Sequence, residues 1–191
     1  MTTLHSDQRK LLERAVENGR EAAEKAAKAA LRTLAVPADD PFAGMSQEDR
    51  SLRRLLRADI KRLGSYGALA AEIAYAQWHR MLFARFLAEN DLLMHPTGVP
   101  VTLAECGEMA DTEGEPDEWM VAAKYAALML PGIFRADDPL LSVRFDAFGR
   151  QALEALISAL PATVFRAEDA LGWVYQFWQT KRKAEVNAAG E

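Results

Sequence analysis

Tyr66-Gly67-Ala68-Leu69-Ala70-Ala71-Glu72-Ile73-Ala74-Tyr75-Ala76-Gln77-Trp78-His79-Arg80-Met81-Leu82-Phe83-Ala84-Arg85-Phe86-Leu87-Ala88-Glu89-Asn90 is the stretch on which the fold turns. Its apolar side chains fall on most faces of a helix, and such a helix belongs in the centre of a protein or in a membrane. Glu72, Arg80 and Arg85 interrupt the roughly 20-residue apolar run that a spanning helix needs. The stretch therefore predicts a buried central helix, with His79 as a satisfied core histidine and Arg80 as an arginine whose stem lies on apolar surface while its head reaches water. Trp78, Met81, Leu82, Phe86 and Leu93 have the period of core residues, not of a base-stacking platform.

The rest of the chain has the same character. Its 191 residues include 35 Ala and 23 Leu against 9 Val and 4 Ile. Ala and Leu lead the helix scale and β-branched residues favour strands, so an all-α protein is expected. With 28 acidic and 23 basic side chains the net charge is −5, which opposes a globally basic nucleic-acid binder but leaves local patches open. The lone Cys106 excludes an internal disulfide and any multi-cysteine zinc site. The start, Met1-Thr2-Thr3-Leu4-His5-Ser6, has no basic-then-apolar secretory pattern, and the reading is a cytoplasmic protein with no membrane segment.

Immediately before the central stretch, Ser46 caps a helix with Glu48 and Asp49 in its first turn and an apolar face of Leu52, Leu55, Leu56, Ile60 and Leu63. Further upstream, Ser6 is read as the cap of a helix running to about Leu34 and stopped by Val36-Pro37. Leu12, Val16, Gly19, Ala23, Ala26 and Ala30 give it a narrow stripe of small residues, the pattern of a helix lying close against one neighbour. Gly19 costs about 1 kcal/mol in a helix interior, so this segment is one long arm or two helices. The expected organisation is an Ala-rich helical arm over 1–36, a linker over 37–45 and a helical domain over 46–191, forming an irregular multi-helix bundle.

Downstream, His95 to Pro100 reads as a loop and Thr102 to Met109 as a short helix. Glu105 to Glu118 holds seven acids and no base, and its later part reads as an exposed acidic loop. Trp119 to Leu130 forms a helix stopped by Pro131-Gly132, and Asp137-Asp138-Pro139 opens a turn. Phe148 to Leu160 and Glu168 to about Val186 supply the last two helices.

The motifs of common catalytic sites are missing. There is no G-x-G, no G-K-[ST] and no E-x-x-H, and His5, His79 and His95 lack metal-ligand spacing. No catalytic, cofactor or metal residue is assigned. Cys106 reads as a small buried hydrophobe in preference to half of a Cys-His nucleophile pair. The sharpest electrostatic feature is a stripe of Arg50, Arg54, Arg57 and Lys61 at steps of four, three and four, with Arg53 and Arg62 beside it. Such a stripe is either a set of phosphate contacts or the solvated back of an amphipathic helix. The last helix carries Trp173, Tyr175, Phe177 and Trp178, followed by Lys181-Arg182-Lys183. Four aromatics in so short a span either wedge between two packed bodies or are partly exposed, and the basic cluster serves the helix dipole or phosphate.

Leu171-Gly172-Trp173-Val174-Tyr175-Gln176-Phe177-Trp178 with Lys181-Arg182-Lys183-Ala184-Glu185-Val186-Asn187 resembles a segment just ahead of the catalytic domain in large adenine-specific DNA methyltransferases. These are the methylases of BREX phage-exclusion systems and related type IIG restriction-modification enzymes. The stretch from Trp78 to Leu93 is similar to their helical N-terminal region. The resemblance covers residues 46–191, and its tail segment is the more specific part. It implies a helical domain beside a methyltransferase domain that transfers a methyl group from S-adenosylmethionine to adenine N6 of a flipped base. The glycine-rich cofactor loop and Asn-Pro-Pro-Tyr motif of that chemistry do not occur here, so the chain alone is expected to be inactive, with an end that falls inside a longer protein. Expected partners are the downstream catalytic domain, double-stranded DNA and other phage-defence proteins. Candidate DNA contacts are Arg50, Arg53, Arg54, Arg57, Lys61, Lys181, Arg182 and Lys183, and candidate domain-interface residues are Trp173, Tyr175, Phe177 and Trp178. The rival reading is a protein-interaction module that binds no nucleic acid, pairing through its Ala-rich arm and offering residues 105–118 to a basic partner.

Overall fold

Ser65 opens the central helix by accepting a hydrogen bond on Oγ from the Ala68 N–H at 3.0 Å. A computed structural model of the chain describes residues 3–132, 134–135 and 137–189, with side chains as far as Thr180. The elements in order are α1 (Ser6–Thr33), α2 (Gln47–Leu63), α3 (Tyr66–Glu89), α4 (Leu103–Glu113), α5 (Glu118–Met129), α6 (Pro139–Ser142), α7 (Ala147–Ser158), α8 (Ala162–Phe165) and α9 (Ala170–Ala189). Among the described residues the only β-type pairing is an isolated bridge between Met94 and Pro100. The protein is an all-α, multi-helix bundle with a long Ala-rich N-terminal helix, and no described helix is long and apolar enough to cross a membrane.

α3 is the buried centre. Leu69, Ile73, Trp78 and Leu82 are at most 1% exposed, and the helix touches α1, α2 and α5 to α8. α1 is one continuous helix through Gly19, with His5 at its N-cap position in place of Ser6; the His5 N–H donates to Gln8 Oε1 at 3.0 Å. Its small-residue stripe is buried as expected, but Ala15, Ala27 and Leu31 are buried too, and α1 packs on α3, α7 and α9. The N-terminal helix is thus interior, and its alanines are spent against three neighbours of the same chain. Small side chains permit this because they let helix axes approach closely. A Cβ on Gly19 would stand 2.6 Å from the Trp78 ring, and one on Gly149 would stand 2.6 Å from Ala26 Cβ. The glycine that lowers helix propensity is the one that seats the largest core side chain.

α1 ends in a turn with Ala35 in the left-handed region at φ 52°. The Val36 N–H returns to the Leu31 carbonyl at 2.9 Å, and both Ala35 and Val36 are buried. A non-glycine residue there costs about 1–2 kcal/mol, so the turn needs support from outside itself. α2 then starts at the Ser46 cap and stops at Gly64, φ 89°. Of its expected apolar face Leu56 is buried and Leu52, Ile60 and Leu63 are partly buried, whereas Leu55 is 53% exposed.

A second, smaller core lies at the far end of α3. Leu87, Leu93, Val101, Cys106, Val121, Tyr125 and Phe134 pack there between α3, α4 and α5. α4 runs past Met109 to Glu113 because Thr102 and Glu105 form a reciprocal cap and Gly114 ends the helix at φ 70°. Most of the acidic run is therefore helical, and its loop is confined to residues 114–117. Three of these acids pair internally: Glu113 with Lys124 at 3.0 Å, Glu115 with the same lysine at 4.0 Å and Asp117 with Arg150 at 3.0 Å.

Candidate nucleic-acid interface

The six cations of α2 divide into two groups according to what the end of α1 presents to them. Arg53 is only 7% exposed, and its Nε donates to the Ala35 carbonyl at 2.9 Å. Its Nη2 donates to the carbonyls of Ala38 at 2.6 Å and Asp39 at 2.9 Å. Arg57 Nη1 donates to the Val36 carbonyl at 3.1 Å and also to that of Ala38. These two guanidinium groups hold the strained turn after α1 and satisfy carbonyls at the negative end of its dipole. Arg53, expected beside the phosphate stripe, and Arg57, expected within it, accordingly clamp this turn as the chain folds. The reason is that the linker folds back over α2 and brings its carbonyls within reach.

Arg50, Arg54 and Lys61 remain on the exposed side of α2. Arg50 Nε donates to the Met45 carbonyl at 3.1 Å and Arg54 Nη2 to Ser51 Oγ at 3.1 Å, both at the surface. Arg62 is paired with Asp59 at 2.9 Å. Among the described residues no carboxylate forms an ion pair with Arg50, Arg53, Arg54 or Arg57. Where α2 meets the linker there is a cavity of about 360 Å³ lined by Pro41, Gln47, Arg50, Arg53 and Arg54. Helical spacing picks out these arginines, but Pro41 enters the site only through the linker that follows α1. The side chains of Lys181, Arg182 and Lys183 lie outside the described residues.

The aromatic residues of α9 serve mainly to seat it. Trp178 is buried, with its ring 5.3 Å from that of Tyr75 and beneath the Arg20 guanidinium at 5.8 Å. Arg20 itself is buried and paired with Glu24 at 2.9 Å. Trp173 stacks on Phe177 at 5.4 Å, donates from Nε1 to Asp169 Oδ2 at 2.8 Å and carries Arg9 over its ring at 5.2 Å. Tyr175, 58% exposed, is the member of the group that faces solvent. Of the four candidate interface residues Tyr175 is exposed, while Trp173 and Phe177 pack against the main core and Trp178 within it. A helix wheel could not separate them, because α1 covers one side of α9 and Tyr75 of α3 meets Trp178.

The nucleophile candidates have no activating surroundings. Burial, followed by Glu105 and Glu118, pushes the Cys106 thiol up to about 11, so it stays protonated near neutral pH. His79 is half-buried in a column of rings, 5.4 Å from Tyr75 and 5.8 Å from Phe83, and burial lowers its pKa. Burial likewise lowers the pKa of Arg80, opposed by Asp117, and the Arg80 Nη2 donates to Gln77 Oε1 at 2.7 Å. Among the described residues no group of three or more His, Cys, Asp or Glu side chains could hold a metal ion. No protein-family model matches the chain, nor does any curated protein or solved structure.

Proposed function

We propose that this chain is a non-catalytic helical N-terminal domain of an adenine-N6 DNA methyltransferase of a phage-defence or restriction-modification system, which grips duplex DNA through the exposed side of α2. In this reading S-adenosylmethionine is bound by the catalytic domain that follows, and Tyr175 faces that domain or a defence-system partner. The observation that carries the reading is the unpaired cation row itself. Arg50, Arg54 and Lys61 share one exposed face, and the two arginines have no carboxylate partner among the described residues. Unpaired surface cations at helical spacing are suited to phosphate, and releasing counterions supplies most non-specific affinity. The resemblance of residues 78–93 and 171–187 to the methyltransferase family supplies the biological setting. Tyr75, one turn before the first stretch, packs on Trp178 of the second.

The test is duplex binding by the whole chain at several salt concentrations. Wild type is expected to bind weakly, with affinity falling steeply as salt rises. Arg54→Glu/Lys61→Glu should flatten the salt dependence by about 0.9 in log–log slope for each phosphate left without its cation. Identical slopes and affinities in the two proteins would reduce the row to solvated surface.

A further inference from the structure

We propose that this chain associates with a second copy of itself head to tail, the open side of α2 in one copy docking on the end of the α4 and α5 pair in the other. Among the described residues nine large apolar side chains are exposed, and six of them gather in two places, which is where a partner has apolar area to bury. The first place is the end of α5 with the loop after α3, where Leu92, Val99, Leu128 and Met129 are open. They are tied together there, because the Met94 N–H donates to Met129 Sδ at 3.3 Å and Met94 bridges to Pro100. Methionine adapts its shape to an incoming surface. The second place is Leu55 on α2 with Phe42 in the linker. Phe42 is held to α2 through Met45, whose N–H donates to the Phe42 carbonyl at 3.2 Å and whose carbonyl accepts from Arg50 Nε at 3.1 Å.

Charge selects how the two patches pair. Beside the first patch the free charges are acidic. Asp91 precedes Leu92, and the contacts of Glu113 with Lys124 and of Met109 with Tyr125 run α4 antiparallel to α5, which sets Glu108 level with the end of α5. Asp91 and Glu108 are exposed and form no ion pair, while Lys124 is taken by Glu113 and Glu115. On α2 the free charges are cationic. From Arg50 to Lys61 the one acid is Asp59, which Arg62 holds at 2.9 Å, and Arg50, Arg54 and Lys61 have no carboxylate partner. Two copies brought together through like patches would set acid against acid or cation against cation. The apolar areas can be buried with favourable charge only basic face to acidic face, which is a heterologous contact. Both halves of the complement are carried by one chain, so the occupant is a second copy. The proposal goes beyond the duplex-binding reading and does not need it. Both draw on Arg54 and Lys61, so self-association belongs to the DNA-free state.

The experiment is sedimentation velocity of the whole chain without nucleic acid, over a range of protein concentrations at low and high salt. The average mass of wild type should rise with concentration, and less so at high salt. Leu55→Glu and Leu128→Glu each place a carboxylate in the contact and should weaken association about tenfold or more. These side chains are 53% and 66% exposed, so thermal unfolding should stay near wild type, and Leu55→Ser and Leu128→Ser repeat the test without added charge. The deciding sample is an equimolar mixture of Leu55→Glu and Leu128→Glu. One keeps the acidic face and the other the basic face, so the mixture should form a one-to-one dimer and stop there. A wild-type mass that is constant with concentration at low salt, a mixture that stays monomeric, or either variant associating as wild type does overturns the proposal. The duplex titration reads the DNA grip of α2 separately, so either reading can fail alone.

Discussion

The two hydrophobic cores of this chain follow different rules. The larger joins residues as distant as Leu4 and Trp178 and lets α1 sit among α3, α7 and α9. It closes because Gly19 and Gly149 stand where a single methyl group would collide. The smaller draws its buried residues from 84–134, and Gly107 beside it has room, since a Cβ there would lie 3.7 Å from Glu118 Cβ. The first core is thus set by close approach over long sequence separation, the second by ordinary packing of near neighbours. The lesson is that the first should fail all at once and the second can open locally.

The strongest challenge to this contrast is Gly19→Val. It drives a branched side chain into the Trp78 ring, and about 3 kcal/mol of destabilisation is expected from overpacking, read as a lower denaturation midpoint. A loss under about 0.5 kcal/mol would mean that α1 and α3 can separate freely. Arg53→Met comes next. It removes the donors to Ala35, Ala38 and Asp39 beneath a strained turn and should cost about 2 kcal/mol. Urea denaturation of Arg53→Met beside Arg54→Met separates the clamp from mere helix charge, because the exposed Arg54 should be nearly neutral.

Gly107→Ala sharpens the comparison from the other core. With space for the methyl group it should gain up to about 1 kcal/mol of helix propensity, opposite in sign to Gly19→Val. Cys106 reports the same region: a buried thiol pushed up to about 11 should resist a thiol reagent at pH 8 until its core opens. Labelling at a denaturant concentration that leaves α1 intact would confirm separate opening, and labelling that tracks global unfolding would merge the two cores.

The smallest effect belongs to His79. Its folded pKa is lowered by burial, so below the ordinary value near 6.5 the unfolded chain binds more protons than the folded one. The stability from neutral His79 is present above that pH and is lost as pH falls toward the folded value. Melting temperatures from pH 7 to 5 should fall less in His79→Gln than in wild type; parallel curves would place the ring in a water-like setting.

Much of this architecture is legible in the sequence because its determinants are local. The Ser46 cap, the Val36-Pro37 break and the all-round apolar α3 each act within a turn or two, and the structure has all three. The exposure of Leu55 and the length of α4 are not legible in this way, because a helix wheel or an acidic run carries no knowledge of the neighbouring element. At the candidate site, periodicity finds the arginines but treats Arg50, Arg54 and Arg57 as equivalent.

What the sequence determined by itself is an all-helical chain, the order of its main helices and the residues able to carry charge on α2. Tertiary structure alone decided that α1 is interior, that Trp178 is covered while Tyr175 is open, and that Arg53 faces three carbonyls while Arg54 faces water. The physical reason is distance along the chain. Arg53 meets Ala35 18 residues away, and Arg20 meets the Trp178 carbonyl 158 residues away. A charged side chain is assigned to solvent by its own free energy of hydration, and only the unpaired carbonyls brought beside it by another helix can reverse that preference.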